Sequence, residues 1–182
     1  NNYGMVNMSQ GELNELALKA HRTGLQLVIH AIGDRATDMT LDAIEYSLKK
    51  VPRKDPRPRI EHGGNNWCTP ERIKRIKGLD IILVPDPQFI WNIADSYVSF
   101  LGSGRTKNLF NFRTLLDEDV KMAWSTDGGG IFSVSPTDPI LGLACVLTRK
   151  TMLGNVINPD QKITMKEAIK FYTLDSAYAS YE

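Results

Sequence analysis

The stretch "LQLVIHAIGD", residues 25–34, decides how the rest of the chain is read. An apolar run of strand type ends in a histidine, followed by a glycine turn and an aspartate. A histidine at a buried strand end costs desolvation unless its ring nitrogens find partners. It is either a hydrogen-bonded core residue or a group held ready for a metal or a substrate. The same punctuation recurs downstream. "RIEHG" at 59–63 is a short strand ending in His62, and "VKMAWSTD" at 120–127 is a strand ending in Asp127. A further strand, "DIILVPD" at 80–86, runs into Pro85-Asp86-Pro87-Gln88 and offers no histidine.

Helical patterns separate these strands. "SQGELNELALKAHRTG" opens on Ser9 with Glu12 three residues later, a capping box, and Gly24 is a terminator. In "DRATDMTLDAIEYSLKK", Ala36, Met39, Ala43 and Ile44 share a stripe, and Asp34 is the expected N-cap. "TPERIKRIKG" carries Thr69 as cap, Pro70 in the first turn and Gly78 after the end. The segment from about Pro85 to Gly104 reads as irregular, and "TKNLFNFRTLLDE" at 106–118 as helix. "DPILGLACVLTRK" is a helix capped by Asp138, and "TMKEAIKFYTLDSAYASYE" is helical with a capping box at Thr164 and Glu167. Strand–helix alternation demands crossover connections and a parallel sheet. The expected fold class is α/β, with four such units making half of a TIM-type (β/α)8 barrel or a small doubly wound sheet. The barrel option matters because barrel enzymes place their chemistry at the C-terminal ends of the strands.

Bulk properties narrow the function. The 182 residues suffice for one domain with a real core, and the net charge of +1 gives no argument for nucleic acid or an anionic membrane. No run approaches the roughly 18 apolar residues of a membrane span. Cys68 and Cys145 are the only cysteines and form neither a disulfide framework nor a metal knuckle. Both are expected to be reduced, which fits a cytoplasmic setting, with Cys145 in the core. The N-terminus has no basic and apolar signal-peptide pattern.

His30, His62 and Asp127 are the candidate site. Adjacent parallel strands lie about 4.8 Å apart, so level histidines on two of them can converge on one ion at about 2.1 Å from each nitrogen. By strand alternation His30 shares a face with Val28, His62 with Ile60, and Asp127 with Ser125 and Ala123. Glu61 is then expected to face away from the site and pair with a base. His21, in the last turn of its helix, suits the dipole and is given no catalytic role. Trp67, Trp91 and Trp124 read as packing or pocket walls. "STDGGG" matches neither phosphate-loop pattern; its glycines let backbone approach a ligand.

Three strings, "HAIGDRA" at 30–36, "RIEHG" at 59–63 and "STDGG" at 125–129, resemble the amidohydrolase superfamily, in particular its N-substituted formamide deformylase-like branch. "VPDPQFIWNIADSY", "LGSGRTKNLFNFRTLLDEDV", "DPILGLACVLTR" and "ITMKEAIKFYTLDSAYAS" are similar to later segments of that branch, in order. The resemblance implies a (β/α)8 barrel hydrolase with one or two divalent metals, usually zinc. It implies that His30, His62 and Asp127 end strands five, six and eight. It also implies that the histidines bind metal or the substrate oxygen and that Asp127 binds metal and handles protons. The family's His-x-His on strand one, its acidic or carboxylated residue on strand four and its small β-sandwich are absent, and Asp127-Gly128-Gly129 replaces the usual Asp-x-Pro. The expectation is therefore that residues 1–182 form one partial barrel domain, the C-terminal half of a longer enzyme that cleaves a C–N bond of a small amide or formamide. Exposed sheet edges would pair with the missing N-terminal half or with a second copy. Two other readings stay open: a non-catalytic half-barrel scaffold with structural histidines, and a barrel that binds a phosphate through "TDGGG".

Overall fold

The computed structural model describes residues 5–66, 68–128 and 137–182. Trp67 and Gly129, both singled out above, lie outside the described residues. Helix α1 (Gln10–Arg22) begins with the expected capping box. Ser9 accepts from the Glu12 backbone, and the Glu12 carboxylate accepts from Ser9 N at 2.8 Å. Then follow β1 (Val28–His30), α2 (Asp34–Lys50), β2 (Arg59–Glu61), α3 (Pro70–Gly78) and β3 (Ile82–Val84). The expected cap of α2 is corrected: Gly33, at φ 95°, holds the N-cap position and Asp34 is the first helical residue. The carboxylate still lies in the first turn, where it favours the helix dipole. Gly78 closes α3 instead of following it, while Thr69 and Pro70 start it as the sequence suggests.

Beyond β3 the chain is more helical than its composition suggests. Helices α4 (Phe89–Asn92), α5 (Ala94–Leu101) and α6 (Ser103–Thr106) occupy the stretch read as irregular. The helix expected over 106–118 shrinks to α7 (Phe112–Asp117). Helix α8 (Pro139–Thr148) carries the Asp138 cap, with Ile140 N donating to Oδ1 at 2.9 Å. A 3-10 turn (Pro159–Gln161), α9 (Met165–Tyr172) and α10 (Leu174–Ala179) complete the chain, and α9 has the expected capping box.

The sheet is parallel, in the order β1-β2-β3. The expected fourth strand is reduced to one parallel bridge, Leu83 to Met122. Leu83 N donates to Lys121 O, Ala123 N to Leu83 O, and Ser125 N to Pro85 O, so residues 121–125 run alongside β3 without forming a regular strand. One face of the sheet meets the helices: Leu27, Ala31, Ile60 and Leu83 join the main core with Leu41, Ile44, Ile73 and Ile76. Ile82, Val84 and Ala123 form a smaller cluster with Ala179 on the other face. Gln26, just before β1, donates to the Ala179 carbonyl at 2.9 Å. Arg57, just before β2, lies 3.9 Å from the ring centre of Tyr178 and 4.3 Å from that of Tyr181. The C-terminal residues thus lie against the ends where the strands begin, opposite the ends that carry His30 and His62.

Behind residues 121–125, Trp124 packs among Phe112, Phe171 and Tyr172. Arg149 follows α8 in left-handed backbone and is fully buried, its guanidinium 5.7 Å from the Phe112 ring centre. Burial pulls it down to about 10. Both cysteines are buried and free, and burial pushes each thiol up to about 11. Neither has the exposed, thiolate-favouring surroundings of a nucleophile.

Candidate metal centre

The register of the sheet decides which side chains share a face. His30 pairs with Glu61 across β1 and β2, and Glu61 pairs with Val84 across β2 and β3. Partners in register point to the same side of a parallel sheet. Glu61 therefore lies on the His30 face, a correction to the expectation that it faces away. It does pair with a base, since Arg59 donates to Glu61 Oε1 at 3.0 Å. Burial raises the Glu61 carboxyl above its ordinary value, against the opposing charge of Arg59.

His62 reaches the same end by a different route. Strand alternation alone would send it, with Ile60, into the helix layer, and Ile60 is indeed fully buried in that core. His62 instead adopts left-handed backbone, φ 62°, which takes the ring out of the strand's alternation. Its N–H still donates to Val84 O at 2.9 Å, so the turn begins while the residue is tied to β3. The next residue has to be small: a Cβ on Gly63 would lie 2.7 Å from Leu83 Cδ2 and 2.9 Å from Ile60 O. Gly64 follows at φ 93°. The expected pairing of His62 with Ile60 on one face is thereby corrected.

This turn sets the His30 and His62 rings edge to face, with centres 4.6 Å apart. His62 is buried, and its ring stacks on Phe89 with centres 5.7 Å apart. Its Nδ1 lies 2.6 Å from Asp86 Oδ2. Asn65 Nδ2 donates to the same oxygen at 3.0 Å, and Asp86 N donates to Asn65 Oδ1 at 3.0 Å. A carboxylate only accepts, so Nδ1 carries the proton of this bond. Among the described residues, Nε2 of His62 and both nitrogens of exposed His30 have no hydrogen-bond partner.

Burial and charge compete here. Burial lowers His62, but the bond to Asp86 and the charges of Asp86, Asp127 and Glu61 outweigh it and hold the imidazole above its ordinary value. On Asp86 burial is the larger effect and raises the carboxyl, despite His62. Asp127 is exposed, in left-handed backbone at φ 49°, with its N–H donating to Ser125 Oγ at 3.1 Å. Its charge is felt by both His62 and Asp86.

Of the three expected site residues, then, the two histidines meet and Asp127 stands within electrostatic reach of one of them. Among the described residues, no three His, Cys, Asp or Glu side chains gather as a metal shell. The donor chemistry nonetheless fits a divalent ion: two adjacent imidazoles, one locked at Nδ1 by a buried carboxylate, offer lone pairs and no competing bonds. Asp86 is the residue of this cluster that the sequence reading does not single out. Its signal was an aspartate between two prolines immediately after a strand, passed over because that strand ended without a histidine. His21 and Trp124 take the structural roles expected of them: His21 is buried with Nε2 2.8 Å from Val51 O, and Trp124 packs in the aromatic interior.

The chain is 29% identical over 174 residues to the N-substituted formamide deformylase of Arthrobacter pascens, an alignment covering 94% of the chain and 31% of that protein. It is 30% identical over 183 residues to Protein LONG AFTER FAR-RED 3 of Arabidopsis thaliana, covering 100% of the chain and 30% of that protein. In structure it is similar to an uncharacterized metal-dependent hydrolase from Pyrococcus horikoshii OT3, with a TM-score of 0.81 and 31% identity, covering 100% of this chain and 35% of that one. The chain spans about a third of the length of each of these relatives. With residues 3–182 matching the family, and with histidines at the tips of adjacent parallel strands, the chain belongs to the amidohydrolase family.

Proposed function

We propose that this chain is the C-terminal half of a (β/α)8 barrel, strands five to eight, of a metal-dependent hydrolase that cleaves the C–N bond of a small amide or N-substituted formamide. The carrying observation is the His30–His62 pair, 4.6 Å between ring centres at the C-terminal ends of two adjacent parallel strands. The preceding half of the barrel would pack against the β1 edge. Val28 and Ile32 are exposed there, and an open groove of about 610 Å3 runs past Ile29, His30 and Gly33. Remaining metal ligands would come from that half. The absence of a membrane-crossing helix among the described residues and the two free cysteines are consistent with a cytoplasmic enzyme.

In this reading His30 and His62 hold a divalent ion, zinc by the family's habit. When bound, such an ion polarises the substrate carbonyl and makes water a better nucleophile at neutral pH. Asp127 takes the proton from the attacking water and delivers it to the departing nitrogen, so that the amine leaves neutral. Phe89, stacked on His62, shields the ring from solvent.

The test is hydrolysis of N-substituted formamides and simple amides by the full-length protein, before and after chelation, with Asp127→Asn beside the parent. Expected is activity lost on chelation, restored by Zn2+, and reduced about 10²–10⁴-fold in the variant. A full-length protein that hydrolyses none of these, or an Asp127→Asn variant with undiminished turnover, overturns the assignment. A second reading, a non-catalytic scaffold, is favoured by one observation, the lack of a three-donor cluster among the described residues. It predicts no stoichiometric metal in the full-length protein.

A further inference from the structure

We propose that Asp86, itself held by Asn65, is a positioning residue that fixes which nitrogen of His62 is offered to the metal. This rests on the metal-hydrolase reading above and deepens it. A neutral imidazole has two tautomers, and free in water neither is locked. A ligand of this kind must keep one nitrogen bare and its ring angle fixed, and the group on the other nitrogen does both. Here the group is a carboxylate, 2% exposed, at 2.6 Å from Nδ1.

The carboxylate is not free to wander. Its backbone N–H donates to Asn65 Oδ1, and Asn65 Nδ2 returns a bond to the very oxygen that faces His62. This reciprocal pair defines the amide orientation of Asn65. Asn65 is in turn tied on both sides by its main chain: its N–H donates to His62 O at 3.1 Å, and Phe110 N donates to its carbonyl at 3.3 Å. Pro85 and Pro87 flank Asp86 and restrict its backbone. The ring is thus gripped from one edge by Asp86 and from one face by Phe89. What remains open is Nε2. Asp86 is not available as a ligand through Oδ2, because that oxygen already accepts from both His62 and Asn65.

The experiment uses the full-length protein with its histidines labelled with 15N, and the variants Asp86→Ala, Asp86→Asn and His62→Ala. Imidazole 15N shifts of the metal-free protein, at a pH where His62 is neutral, report the tautomer. Zn2+ affinity is measured separately by competition with a chelator. Expected is an Nδ1–H tautomer for His62 in the parent and a mixture in Asp86→Ala. Zn2+ affinity should be about 10–100-fold weaker in Asp86→Ala, with Asp86→Asn, which keeps an acceptor of the same shape, lying between the two. If Asp86→Ala does not fold, the Asp86→Asn shift and affinity decide alone. An Nε2–H tautomer in the parent, or Zn2+ affinity unchanged in the Asp86 variants while His62→Ala abolishes it, overturns this inference and leaves the hydrolase reading standing. Zn2+ affinity unchanged even in His62→Ala overturns the metal reading itself.

Discussion

Two buried histidines in this chain are bound in opposite ways. His21, at the end of α1, uses both ring nitrogens: Nε2 donates to Val51 O at 2.8 Å, and Nδ1 faces Arg53 Nη1 at 3.4 Å. Arg53 also donates to the carbonyls of Gly24 and Leu25, so the whole arrangement closes the turn between α1 and β1. His62, at the end of β2, uses one nitrogen and leaves the other bare among the described residues. Burial alone therefore says nothing about function. A buried imidazole with both nitrogens satisfied is a cross-brace; one with a single strong anchor and an open lone pair is prepared for a ligand.

Substitutions can break the contrast. The largest effect is expected from His30→Asn or His62→Asn in the full-length protein, with loss of most bound metal and of hydrolysis; thermal unfolding should shift little for exposed His30 and fall for His62, which leaves buried Asp86 without its partner. Elemental analysis and a melting curve on the same sample check it, and retained metal in both variants would remove the distinction. His21→Ala should do the reverse. It strands the Val51 carbonyl and lowers stability by about 1–3 kcal/mol, with metal content unchanged, as denaturant titration and metal analysis would show. Gly63→Ala sharpens the comparison from the backbone side. The added methyl collides with Leu83 and the Ile60 carbonyl, and a cost of about 1–3 kcal/mol is expected. Because the same turn aims His62, metal affinity should fall with stability, where His21→Ala leaves it intact. The smallest effect is expected at the helix caps. Ser9→Ala removes one side of the box that starts α1 and should cost about 1 kcal/mol, with no change in metal binding.

Much of this molecule was legible in its sequence because its signals are local. Capping boxes at Ser9–Glu12 and Thr164–Glu167, the Thr69-Pro70 start of α3 and the Asp138 cap of α8 depend on residues a turn apart, and all four form. The parallel order of the strands followed from helices between them. What escaped depended on three-dimensional context. The fourth strand was expected from an apolar run, but only one bridge to β3 is made. Helices α4 and α5 were hidden because prolines before them read as loop, although Phe89, Ile90 and Ala94 bury well as helical residues. At the site, strand alternation ends one residue earlier than the sequence suggests. It holds through Glu61 and fails at His62, where the backbone changes hand. Asp86 was passed over because its role depends on Asn65 and His62, more than 20 residues earlier, which no spacing rule connects.

That change of hand has an evolutionary consequence. A branched-at-Cβ or bulky side chain at position 62 sits in a conformation that glycine and asparagine tolerate far better, at a difference on the order of 1 kcal/mol. Glycine or asparagine at this codon would relieve that strain but leave the buried Asp86 carboxylate without its imidazole partner, a loss of about 1–3 kcal/mol that outweighs the gain. A screen for heat resistance alone should therefore keep the histidine, so that the strained turn and the buried carboxylate are inherited as one unit.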